Sequence, residues 1–171
     1  GVAGPLMDQF FVHTDMHRHE IVATKAGAQV LVYEPTEELV EAGRTRITAS
    51  LERAKAKGKL AADDFEVAVA RLNYTTELAD MADRQLVIEA IVENEAVKAK
   101  VFADLDSVVT DPDAVLASNT SSIPIMKIAA ATTNPSRVLG LHFFNPVPVL
   151  PLVEVIDTLV TSPEAVAKGE K

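Results

Sequence analysis

Apolar positions along this chain recur with two different periods, and the switching between them predicts its elements. Short runs of aliphatic and β-branched residues alternate with stretches spaced at three and four, the pattern of a parallel sheet built from strand–helix–strand units. Ala28-Gln-Val-Leu-Val-Tyr33 reads as a buried strand ending at Glu34-Pro35, and Thr36 then caps a long helix on which Leu39, Ile47 and Leu51 lie roughly on one face. That helix should fade near Gly58. A second helix, from Ala62 to Leu72, opens with Asp63 and Asp64 in its first turn, where negative charge suits the helix dipole. Leu86-Val-Ile-Glu-Ala-Ile91 is a further strand, followed by a helix from Glu95 to Val109 with Val97, Val101, Phe102 and Leu105 as its apolar stripe. Asp111-Pro-Asp is the turn back.

The second half continues the alternation. Val115-Leu-Ala117 is a short strand leading into Asn119-Thr-Ser-Ser122, and Ile123 to Ala131 is a modest helix. Arg137-Val-Leu-Gly-Leu-His-Phe143 and Leu152-Val-Glu-Val-Ile156 are the last two strands, joined by a loop carrying Pro146, Pro148 and Pro151. A helical crossover takes about a dozen residues or more, so a loop this short makes those two strands antiparallel neighbours. Ser162 as N-cap and Pro163 at the first helical position start another helix. The chain stops at Lys171 in mid-element, and the expectation is a domain cut from something longer.

Composition narrows the class. With 171 residues and 48% hydrophobic content, the chain can bury one good core and hardly two. Its 25 acidic and 16 basic residues, formally −9, argue against a nucleic-acid surface, which needs clustered Lys and Arg. One basic run stands out, Arg53-Ala-Lys-Ala-Lys-Gly-Lys59. The absence of Cys excludes disulfides, thiolate metal sites and a Cys nucleophile, and fits a reducing compartment. No apolar run approaches the roughly 20 residues that span a bilayer, so no membrane partner is expected and the cytoplasm is the simplest address.

Polar, hydrogen-bonding side chains leave two apolar runs at their downstream ends, in Leu116-Ala-Ser-Asn-Thr-Ser-Ser122 and Leu141-His-Phe-Phe-Asn-Pro-Val-Pro148. An open α/β sheet keeps its ligand at that edge. His142 and Glu154 fall on the two antiparallel strands, where the carboxylate would orient the ring and favour its charged form, making the imidazole an effective base for a hydroxyl proton. The alternative is that both simply face solvent. Asn119, Ser121 and Asn145 supply donors suited to polarising a carbonyl or holding a hydroxyl, or else they cap helices. For Ser122, capping the helix at Ile123 is the preferred reading.

Taken together, Glu89-Ala-Ile-Val-Glu-Asn94, Ser118-Asn-Thr-Ser-Ser122, Gly140-Leu-His-Phe-Phe-Asn-Pro-Val-Pro148 and Leu152-Val-Glu-Val155 resemble the 3-hydroxyacyl-CoA dehydrogenase family, from about Ala26 to the end. The resemblance implies a Rossmann-like α/β domain over residues 1–171: a doubly wound sheet, mostly parallel, with antiparallel final strands. It implies NAD as cofactor, an acyl-CoA substrate, and oxidation of the L-3-hydroxyacyl-CoA hydroxyl to a ketone in fatty-acid metabolism. His142 would be the general base and Glu154 its orienting partner, with Ser121 and Asn145 contacting the reacting oxygen or positioning the histidine. Glu34 would accept hydrogen bonds from the adenine ribose, and Glu93, Lys98 and Asn119 would lie near the cofactor. Ser50 and Lys57 would face the CoA portion, unless that helix face is merely solvated. The family's carboxy-terminal helical domain, which supplies the acyl-chain wall and most of a homodimer contact, is expected to be missing here.

One departure stands against this pattern. A dinucleotide site uses Gly-x-Gly-x-x-Gly after the first strand, because only Gly permits the tight turn and close backbone approach to pyrophosphate. No glycine occurs between Gly4 and Gly27. Counting back from Ala26-Gly27 by the family's spacing puts the glycine positions on Phe11, His13 and Met16. If Gly1-Val-Ala-Gly4 ends the first strand instead, Pro5, Leu6 and Met7 follow and the connection is about two helical turns too long. Either Met7 to Thr24 is a frame-shifted stretch inside a faithful domain, or the chain has diverged and lost its phosphate cradle as a silent binding or assembly module. His13, His17 and His19 lack an accompanying acidic or Cys ligand set, so no metal site is expected.

Overall fold

The computed structural model describes residues 9–13, 28–143 and 153–170. Among the described residues seven strands form one sheet: β1 (Gln9–His13), β2 (Val30–Tyr33), β3 (Leu72–Thr75), β4 (Leu86–Ala90), β5 (Val115–Ser118), β6 (Val138–Phe143) and β7 (Val153–Ile156). Their spatial order is β3-β2-β1-β4-β5-β6-β7, parallel throughout except for the antiparallel β6–β7 pair. Strand order reverses between β1 and β4, the arrangement of a doubly wound Rossmann-like sheet.

Each central strand is buried on both faces, and period two deals its residues alternately to two cores. Val30, Val32, Leu86, Ile88, Val115, Ala117, Leu139 and Leu141 point to one side, against Ile47 and Leu51 of α1 (Glu37–Ala56) and Ala68 of α2 (Ala62–Ala70). Val87, Leu116 and Val138 point to the other, against Phe102 and Leu105 of α3 (Glu95–Val108) and Ile125 and Ile128 of α4 (Ile125–Ala129). A last helix, α5 (Pro163–Gly169), adds Ala165 to the first core, and Ser162 caps it by accepting from the Ala165 amide.

Local chemistry sets the helix limits. The Thr36 hydroxyl accepts from the Leu39 amide at the start of α1, and Gly58, at φ 67°, ends it. There Lys59 N–H donates to Ala54 O at 2.9 Å and Gly58 N–H to Lys55 O at 3.0 Å, the paired bonds of a Schellman stop. The buried stripe of α1 is Val40, Gly43, Ile47 and Leu51, with Leu39 turned to solvent. On α3 the buried stripe is Lys98, Phe102 and Leu105, and Val97 is exposed, so Leu39 and Val97 leave the apolar faces expected for them.

Three expectations need correction. Leu72 does not end α2 but begins β3, a sheet-edge strand too short to show a clear alternation. Ser122 caps nothing: α4 starts later, behind Pro124, with no side-chain cap. The first strand also lies elsewhere than either count placed it. Phe11 is inside β1, paired with β2 and β4, and His13 is the last residue of that strand, paired with Ala90 of β4, so neither stands in a loop after the strand. Residues 14–27, with Met16, His17 and His19, and the stretch Gly1 to Met7 are outside the described residues.

Gly140, in β6, is held to its size by packing. A Cβ there would sit 3.0 Å from both Ile125 Cδ1 and Ile156 Cβ. The Ile156 Cβ is fixed to the backbone of β7 and cannot retreat. Gly140→Ala is therefore expected to cost about 1–3 kcal/mol, read as a lowered urea midpoint at unchanged m-value. An unchanged midpoint would show that β7 shifts at no cost.

Candidate functional site

The carboxyl ends of β4, β5 and β6 bring the candidate residues together, because parallel strands all deliver their following loops to one edge. In β6 and β7 the register sets His142 opposite Glu154. Directly opposed residues of an antiparallel pair share a face, and here His142 Nδ1 lies 3.0 Å from Glu154 Oε2. A carboxylate only accepts, so Nδ1 carries the hydrogen and Nε2 is the basic nitrogen. Asn119, just past β5, accepts from the Phe143 backbone N–H through Oδ1 at 3.2 Å, and its backbone N–H donates to Glu89 O at 2.7 Å. It thus ties the histidine's strand end to β5 and β4.

A second group surrounds Lys98. Its ammonium is fully buried and lies 2.7 Å from Glu89 Oε1, 3.5 Å from Glu93 Oε2 and 3.5 Å from Ile91 O. Glu89, also fully buried, accepts in addition from the Ile91 amide at 2.6 Å and from Ser118 Oγ at 2.6 Å. Glu93 faces the β5 loop, where Oε1 accepts from Thr120 Oγ1, the Ser121 and Ser122 amides, and Ser122 Oγ. Partial burial by itself raises the Glu93 carboxyl. The hydrogen bonds from Thr120 and Ser122, with the Lys98 charge, outweigh it and hold the group below the usual carboxylate value.

Glu93 therefore acts as a clasp between the β4 and β5 loops, and Ser121 is held by its backbone with its side chain exposed. The Ser122 hydroxyl joins the same clasp instead of capping a helix. Thr120 supports the turn from within by accepting from the Ile123 amide at 3.0 Å. Lys98 lies beneath the loops with its charge spent on Glu89 and Glu93, so its influence on anything in the crevice runs through Glu93. Glu89, Ser118 and Thr120 were not singled out individually from the sequence. A carboxylate inside the apolar run Leu86–Ala90, with a lysine nine residues on, was the available sign of a buried ion pair.

The remaining candidates stand apart. Glu34 is buried just beyond β2, its amide donating to Thr75 O. Ser50, half-buried, and Lys57, exposed at the end of α1, lie about 20 Å or more along the helix axis from its cap. No contact joins either of them to the strand-end group among the described residues. Asn145 lies outside the described residues. The strand reversal and the carboxylate after β2 fit the adenosine end of a dinucleotide. The segment that would hold its pyrophosphate follows β1, and its sequence offers no glycine before Gly27.

Comparisons with known proteins agree with this architecture. Residues 17–171 match the family described as "3-hydroxyacyl-CoA dehydrogenase, NAD binding domain". The chain is 63% identical over 150 residues to a 3-hydroxybutyryl-CoA dehydrogenase of Mycobacterium tuberculosis, covering 88% of this chain and 52% of that protein. Among solved structures, FadB2 of M. tuberculosis superposes with a TM-score of 0.94 at 57% identity, covering 98% of this chain and 59% of that one. A 3-hydroxybutyryl-CoA dehydrogenase of Escherichia coli gives 0.91 at 38% identity, covering 97% and 35%. The chain spans about half the length of these curated relatives, including a "Probable 3-hydroxybutyryl-CoA dehydrogenase" of Deinococcus radiodurans. By this match the chain belongs to the 3-hydroxyacyl-CoA dehydrogenase family, in its NAD binding domain.

Proposed function

We propose that this chain is the cofactor domain of an NAD-dependent 3-hydroxyacyl-CoA dehydrogenase, which oxidises the C3 hydroxyl of an L-3-hydroxyacyl-CoA to a ketone. The observation that carries this reading is the His142–Glu154 pair at the carboxyl edge of a doubly wound sheet. NAD+, when bound, supplies the hydride acceptor. His142 takes the hydroxyl proton on Nε2, and Glu154 fixes the tautomer and stabilises the imidazolium that results. Ser121, and Asn145 from the segment after β6, orient the reacting oxygen. Glu34 holds the adenine ribose, while Glu93, Lys98 and Asn119 shape the crevice wall beside the cofactor. Ser50 and Lys57 of α1 meet the CoA arm, whose phosphates suit the basic run Arg53 to Lys59. Fatty-acid metabolism, a cytoplasmic setting and a homodimeric assembly complete the proposal. Among the described residues no helix is long and apolar enough to cross a membrane.

One observation favours a second reading. The glycine-free stretch between Gly4 and Gly27 suits a silent binding module that has lost its pyrophosphate cradle. An NADH fluorescence titration on chain of confirmed intact mass separates the two. Dissociation constants of about micromolar order, weakened in Glu34→Ala, are expected for a working cofactor domain. No binding up to about millimolar NADH would establish the silent module.

A further inference from the structure

We propose that Glu89 is a positioning residue of this site: by balancing the buried charge of Lys98 it keeps Glu93 turned toward the Thr120–Ser122 loop, and so sets where Ser121 stands. The importance given to Ser121 rests on the functional reading above, whereas the way the loop is held rests on geometry. Glu89 and Lys98 are both fully buried, and their 2.7 Å contact is the short one made by the ammonium. Glu93 is the second carboxylate within reach, at 3.5 Å, and it is 38% exposed. It divides its oxygens, with Oε2 toward Lys98 and Oε1 toward the loop's donors.

Neutralising Glu89 leaves an ammonium in the core without its near counter-charge, a state costly enough to move a neighbour. The carboxylate able to move is Glu93, which has solvent on one side. Drawn inward to Lys98, it takes Oε1 away from the Ser121 amide and leaves the Ser122 amide its longer bond to Thr120 Oγ1, at 3.4 Å, so the loop is loosened. Removing both charges takes away the cause of that movement. The loop should then be held again.

Amide hydrogen exchange on the full chain, resolved by residue, tests this without cofactor or substrate, so its outcome is independent of whether the chain binds NADH. Glu89→Gln is expected to speed exchange at Ser121 and Ser122 by about tenfold or more while Val138 to Leu141 of β6 keep their protection. In Glu89→Gln/Lys98→Met the two loop amides should return to wild-type protection. A simple loss of packing would not be reversed by cutting a second buried side chain. Unchanged exchange at Ser121 and Ser122 in a folded single variant overturns the proposal. Should the single variant unfold, the double decides: restored protection supports the proposal, and fast exchange at those two amides refutes it. Failure of both variants to fold makes Glu89 a structural residue and refutes it as well.

Discussion

His142→Ala is expected to lower kcat for NADH-linked reduction of acetoacetyl-CoA by about 10³-fold, with little change in KM. On the proposed function, the imidazolium in this direction gives its proton to the forming hydroxyl, a task Ala cannot perform. The split between kcat and KM follows because proton transfer belongs to the transition state, whereas substrate binding draws on contacts elsewhere. Glu154→Gln should be milder, about 10- to 100-fold in kcat. The amide oxygen can still accept from Nδ1 and hold the tautomer, but it has no charge with which to stabilise the imidazolium. Steady-state kinetics on the two variants checks the order. If His142→Ala keeps more than about a tenth of wild-type turnover, proton transfer belongs to another group.

The second large effect lies at the opposite edge of the sheet, where Arg137 secures the start of β6. Its guanidinium is buried and donates to Val109 O, Asp111 O, Asp106 O and Asp106 Oδ1, the last at 2.8 Å. Arg137→Met takes the buried Asp106 carboxylate's counter-charge and the donor to its Oδ1, and leaves several carbonyls without their donors, so a loss of about 3–5 kcal/mol of unfolding free energy is expected. Urea denaturation measures it, and a loss under about 1 kcal/mol would show that water replaces the guanidinium freely.

The same pair predicts a pH dependence. Burial by itself raises the Asp106 carboxyl, but hydrogen bonds from Thr133 and Arg137, with the arginine's charge, outweigh it and hold the group below its ordinary value. The unfolded chain then binds this proton at higher pH than the folded one. The stabilisation is complete above the unfolded pKa and is lost as pH falls through the folded value. Without Arg137 the folded carboxyl rises toward its unfolded value, so the stability that this group loses in acid should shrink and the two proteins should differ less at low pH than at neutral pH. Urea midpoints measured on both proteins from about pH 7 down to about pH 3 test the direction.

Much of the architecture is readable from residue order because it depends on local chemistry. Thr36, Ser162 and Gly58 act on backbone groups within a few positions of themselves, so their roles as cap or terminator need no tertiary context. The short Pro-rich connection determined that β6 and β7 run antiparallel, and the register then paired His142 with Glu154. Leu72 was harder to place, since a four-residue edge strand leaves little period to detect.

The polar contacts that complete the site were decided by the tertiary structure. Ser118 reaches Glu89 across 29 positions, Thr120 reaches Glu93 across 27, and Phe143 donates to Asn119 across 24. Such pairs exist only after β4, β5 and β6 have been placed side by side in a definite register. Ser122 shows the consequence. Judged by its neighbours it suits a helix cap, yet a carboxylate delivered by the adjacent strand offers its hydroxyl and amide a charged acceptor. Lys98 likewise belongs by charge to a solvent face, and burial became tolerable only because β4 places Glu89 beneath it. Sequence alone determined most of the strand–helix alternation, the caps at Thr36 and Ser162, the family and the histidine–glutamate pair, but not β1, β3 or the start of α4. Tertiary structure decided which carboxylate each buried donor meets, because the energy of a buried charge depends on partners that only the assembled sheet can supply.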